Sequence, residues 1–129
     1  EICACLVGSE MCIRDRHCNS NNLQTLDLSS NPKLMQLNVS YNLLETLDLS
    51  LCPKLQSLYC SFNHLTSVCL NHCRDILYID LCNNLLNKEK LDLLFSQLPH
   101  RTKRAMIYYL ENPGSEFSDY HLLKLKNWD

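Results

Sequence analysis

The sequence predicts an α/β repeat: a solenoid of short parallel strands, closed at its C-terminal end by an α/β cap. Three observations predict it. A leucine motif recurs from Leu23 to Leu86, its ten- and eleven-residue units alternate so that the full period is twenty-one residues, and the repeat then gives way to an amphipathic helix.

In register the units read LQTLDLSSNPK from Leu23, LMQLNVSYNL from Leu34, LETLDLSLCPK from Leu44, LQSLYCSFNH from Leu55, LTSVCLNHCRD from Leu65 and ILYIDLCNNL from Ile76. Each follows LxxLxLxxN with conservative exchanges, which places Leu26, Leu37, Leu47, Leu58, Val68 and Ile79 in one inward column. Ten residues reach at most ~33 Å when extended, too little to circle a leucine core and return. Twenty-one can do so, with a strand on each side and coils stacked ~4.8 Å apart. Asn31, Asn42, Asn63 and Asn84 fall where the chain turns inward after the strand, and there an amide can satisfy buried backbone groups of neighbouring coils. Cys52 and Cys73 take that position in the other units.

After the repeat, NKEKLDLLFSQL (87–98) sets Leu91, Leu94, Phe95 and Leu98 on one helical face, with Asn87 as N-cap and Pro99 as stop. AMIYYLENPG (105–114) alternates Ile107 and Tyr109 against Tyr108 and Leu110, as a half-buried strand does. A second helix is expected from an Asp119 N-cap through Lys126, with Asn127 in the left-handed conformation behind it.

These motifs resemble the leucine-rich-repeat family, in particular a short bacterial subclass with nested ten- and eleven-residue units. The pairing of TLDLS (46–50) with LYCSFN (58–63) carries that resemblance, and so does the helix, NPG-ended strand, helix and tryptophan at the end. Asn127 departs from the glycine that precedes the tryptophan in that subclass, while Trp128 is kept.

The first residues read differently. Residues 1–16 (EICACLVGSEMCIRDR) have no repeat register and fit no signal peptide. They resemble a translated transposon-based sequencing adapter, so we set 1–16 aside as a non-native, disordered segment. The solenoid is then 17–86, expected to begin mid-repeat and so to be truncated, and the cap is 87–129. Cys18 aligns with Cys60 and Asn21 with Asn63, while the leucine expected opposite Leu58 falls on Arg16. A severed coil at that edge offers a route to self-association of an otherwise monomeric chain.

Composition narrows the function. Twelve Lys and Arg against fourteen Asp and Glu leave no net electrostatic footprint for nucleic acid or an anionic membrane. No apolar run approaches the ~20 residues of a membrane span. Gly114 is the only glycine after residue 16, which excludes a glycine-rich phosphate loop. Cys60, His64, Cys69, His72 and Cys73 invite a zinc reading, but the repeat points them in divergent directions, whereas zinc needs four converging ligands. Asp27 and Asp48 stack as the LDL consensus without a His, Ser or Lys partner. We expect no enzyme, metal or cofactor. Cys52 and Cys73, one coil apart, allow either a disulfide or two buried thiols; thiols suit the position better.

Binding is then expected on outward strand positions. The ten-residue side offers Gln36, Asn38, Ser57, Tyr59, Tyr78 and Asp80, the other side Thr25, Asp27, Thr46, Asp48, Ser67 and Cys69. The first set carries two aromatics in neighbouring coils, the residue type enriched at interface hot spots, although tyrosines also serve simply as strand formers that cover each other. Tyr41 and Phe62 are expected to pack together at a turn. The function expected is a protein-binding module; a structural spacer and the recognition part of a secreted effector enzyme are alternatives. The family resemblance implies an extracellular or bacterial-surface location.

Overall fold

The computed structural model describes residues 14–129 and shows a parallel-strand solenoid of about three turns with a twenty-one-residue period. Each coil runs from a strand of one sheet, through a tight turn, to the second side and back. Strands β1 (Asp15–His17), β2 (Gln36–Asn38), β4 (Ser57–Tyr59), β6 (Tyr78–Asp80) and β7 (Met106–Tyr108) form a five-stranded sheet in the order β1-β2-β4-β6-β7. On the other side β3 (Thr46–Asp48) pairs with β5 (Ser67–Cys69). The register repeats without slippage: Leu37 faces Leu58, which faces Ile79, which faces Ile107.

Alternation places the middle residue of each strand inward. Leu34, Leu37, Leu44, Leu55, Leu58, Leu65, Ile76 and Ile79 have no exposed surface. Each fully buried leucine of this kind stabilises the fold by about 1.5–3 kcal/mol relative to an exposed one. The eleven-residue side is less regular than expected. Thr25–Asp27 forms no strand, and Leu26 is only partly buried against the core.

The expectation of a disordered segment through Arg16 is corrected at its last residues; 1–13 lie outside the described residues. The backbone N–H groups of Met35 and Gln36 donate to Arg14 O at 2.7 and 3.0 Å, which draws Arg14 to His17 into the ladder. Arg16 pairs with Leu37 and occupies the inward column, buried.

The two turns of each coil differ in kind. At the ten-residue turn the chain enters the left-handed region at Ser20, Tyr41, Phe62 and Asn83, with φ of 57°, 58°, 55° and 55°. Asn42, Asn63 and Asn84 follow and form a spine. Asn63 Oδ1 accepts from Leu44 N at 3.0 Å, and its Nδ2 donates to Val39 O and Cys60 O at 3.0 and 3.2 Å. Asn42 and Asn84 repeat this pattern one coil before and after, and Asn112 of the cap continues it to Leu86 N and Leu81 O. The eleven-residue turn closes through its own backbone, with Cys52 N to Leu49 O and Leu55 N to Cys52 O at 2.9 and 3.1 Å. Asn31 belongs to that turn, and its amide nitrogen is buried without a hydrogen-bond partner. The grouping of Asn31 with Asn42, Asn63 and Asn84 is therefore corrected.

Helix α1 (Lys88–Gln97) begins where a third strand beside β5 would fall. Asn87 caps it by accepting from Lys90 N, and Leu91, Leu94 and Phe95 bury its inner face. Helix α2 is shorter than expected, His121–Leu125. Asp119 still accepts from His121 N, and its own N–H donates to Asp92 Oδ1. Asn127 is left-handed (φ 62°), and the buried Trp128 donates to Pro99 O at 2.9 Å. No helix among the described residues is long and apolar enough to cross a membrane.

Candidate interaction face

The outer face of the five-stranded sheet is a set of two rows, because alternate residues of every strand point away from the core. One row runs Asp15, Gln36, Ser57, Tyr78, Met106; the other runs His17, Asn38, Tyr59, Asp80, Tyr108. All six residues expected on this face lie on it, half-buried by their neighbours.

Three rings make a ladder across the strands. Tyr59 and Tyr78 have centroids 4.8 Å apart at 35°, and Tyr78 and Tyr108 are 5.7 Å apart at 47°. These tilted contacts are a favourable geometry for aromatic quadrupoles. Burial, followed by the fields of Asp80, Tyr59 and Tyr108, raises the Tyr78 phenol, so it stays protonated and available as a donor. Met106 and Tyr108 are exposed and extend the ladder onto the cap strand. The sequence set Tyr108 on a half-buried strand without saying which of its sides faces out, and did not join that strand to this sheet, because β7 follows an intervening helix rather than the repeat spacing. The NPG that ends the strand was the available signal.

Two of the expected residues are partly committed to the fold. Asn38 accepts from Ser40 N and Asp80 from Cys82 N, both at 3.1 Å. Asp27 and Asp48 do the same for Ser29 N and Ser50 N at 2.9 Å. Those backbone hydrogen bonds, with help from the serine side chains, hold both carboxyls below the ordinary carboxylate range. The third position of a strand is thus a turn-closing position, and that is why Asp and Asn recur there.

The opposite sheet differs in shape. Thr46, Asp48, Ser67 and Cys69 line a depression of about 270 Å³ whose far wall is Lys90, Leu93 and Gln97 of α1. A helix is thicker than a strand, so α1 stands above the sheet and narrows access to it. The five-stranded face has no such wall among the described residues. Tyr41 and Phe62 stack as expected, 4.5 Å apart at 7°, yet both remain exposed.

The zinc-like cluster is dispersed. Cys60 and Cys73 are buried, Cys69 is half-buried, and His64 and His72 are exposed on opposite turns. Cys52 and Cys73 are free thiols, the Cys73 Sγ resting 3.5 Å from Cys52 O. No family model, curated protein or solved structure matches the chain.

Proposed function

We propose that this chain is a leucine-rich-repeat module that binds a protein partner through the open face of the five-stranded sheet. The observation that carries this reading is the Tyr59–Tyr78–Tyr108 ladder, which with Met106 makes a continuous aromatic and apolar centre. Gln36, Ser57 and Asn38 lie beside it as polar positions. Large side chains flanked by polar ones are the composition of an interface core. Sequence variation along the rows argues against a spacer, which has no reason to differ from coil to coil.

The resemblance to bacterial surface proteins suggests a module that works outside the cell or on its surface. One observation favours a second reading, a recognition domain of an effector delivered into a reducing compartment: Cys52, Cys60, Cys69, Cys73 and Cys82 are free thiols.

The test is site-specific photocrosslinking from position 78 against position 46 on the other sheet, followed by affinity measurement with the captured partner. Crosslinks confined to position 78, and a loss of about 2 kcal/mol or more for Tyr78→Ala, are expected of a hot spot. Crosslinks from position 46 alone would move the interface to the other face.

A further inference from the structure

The charges of the chain nearly cancel in sum, yet the coils sort them by edge. The turns that lead from the second side back to the five-stranded sheet (29–35, 50–56, 71–77 and 99–105) contain six Lys and Arg, with Asp75 the only acid. The turns on the opposite edge (19–24, 40–45, 61–66 and 82–87) contain Glu45 and no Lys or Arg. Part of the basic edge is already committed: Arg104 pairs with Asp129, while Arg101 donates to Ile76 O and lies over Trp128. Lys54 and Arg74 are exposed and belong to no ion pair among the described residues.

Two shallow depressions meet there and share Lys54 and Asp75. The larger, about 710 Å³, is lined by Pro32, Leu51 and Pro53 together with His72 and Arg74. The smaller, about 590 Å³, is bordered by Arg14 and Lys33. Leu51 is 57% exposed, an apolar side chain left in water in the same depression as Lys54 and Arg74.

We propose that this edge is a second binding surface, which takes an acidic peptide segment bearing apolar side chains from a partner protein. The mixed lining selects that chemistry. A bare polyanion would use Lys54 and Arg74 and leave Leu51, Pro32 and Pro53 in water. A neutral apolar peptide would cover those three and leave the cations unmatched. Peptide carboxylates meet the Arg74 guanidinium as a planar fork and Lys54 as a point charge, while an intervening leucine or phenylalanine covers Leu51. Such exposed charge pairs steer the encounter and set specificity, and salt weakens them. The surface shares no residue with the tyrosine face, so the two sites are separable.

The test uses the full chain and a short fluorescent peptide of alternating Asp and Leu, with its Asn-for-Asp counterpart and inorganic polyphosphate beside it. The acidic peptide is expected to bind at low salt and to weaken as salt rises. Affinity is expected to fall by about tenfold or more in K54E/R74E, a loss worth about 1.4 kcal/mol. It should fall to a lesser extent in Leu51→Ser and stay unchanged in Tyr78→Ala. Circular dichroism confirms that each variant is folded. Equal binding of the Asn peptide, or unchanged binding by K54E/R74E, would overturn the proposal. Polyphosphate binding that is indifferent to Leu51→Ser, without peptide binding, would make the edge a plain anion surface. Salt-sensitive self-association abolished by K54E/R74E would assign the edge to a second copy of the chain; either result rejects the peptide.

Discussion

Asn63 spans two coils with one side chain, accepting from Leu44 N and donating to Val39 O in the preceding coil and to Cys60 O in its own. Leucine fills this core but cannot satisfy a backbone that turns inward through it. The leucine N–H that follows each such turn points at the next coil, and a side-chain amide reaches both that donor and the facing carbonyls. The other turn satisfies itself, which is why Cys52 and Cys73 can stand where Asn31 does. Asn63→Ala is therefore expected to lower unfolding free energy by about 1–3 kcal/mol for each buried partner left unpaired. Asn31→Ala, which removes an unpartnered amide nitrogen, should cost clearly less. Urea unfolding of the two variants decides the matter; equal losses would mean that the spine does not carry the stacking.

Between coil and cap the decisive contacts are made by elements that do not repeat. Strand β7 joins the five-stranded sheet through Ile107 opposite Ile79, while α1 takes the place of a third strand beside β5. The join is tight at Gly114, whose N–H donates to Leu86 O at 3.0 Å. A Cβ on Gly114 would lie 2.2 Å from Lys88 N and 2.3 Å from the Asn87 carbonyl carbon. Both are backbone atoms at the start of α1, and neither can swing aside. Gly114→Ala should thus displace the cap helix and cost about 1–3 kcal/mol, the scale of overpacking. Glu116→Ala, nearby and exposed, should stay within about 0.5 kcal/mol. Thermal melts of the pair test the join: an unchanged midpoint in Gly114→Ala would show that cap and solenoid are not packed as closely as this.

Across the whole molecule the core carries thiols that resist ionisation in place. Burial pushes the Cys52 thiol from 9.0 up to about 11 and the Cys73 thiol to about 12, and holds Cys60 well above the ordinary range. The folded values lie above the unfolded ones, so their contribution is fully present below pH 9 and is lost as pH rises through 11 to 12. Stability is expected to fall on that limb more steeply in the native chain than in a Cys52→Ala/Cys73→Ala variant. Urea midpoints measured from neutral pH upward provide the check, and parallel curves would exclude the thiols as the cause.

The period, the inward columns, the cap helix with its Asn87 start and six residues of the candidate face were legible in the order of residues alone. Those features are local or strictly periodic, so side-chain spacing alone encodes them. Other features needed the folded chain: Arg16 lies in an ordered ladder rather than a disordered segment, Thr25–Asp27 stays out of a strand, and Tyr108 completes the aromatic ladder with Met106 in the neighbouring row. Arg16 and Met106 are drawn in by hydrogen bonds to a strand already formed elsewhere, a cause that residue identity does not record. The segregation of charge has another origin, the winding itself. Lys54 and Arg74 lie twenty residues apart in the chain, and winding the coils at constant period brings them to one edge, where a near-zero net charge becomes a basic surface.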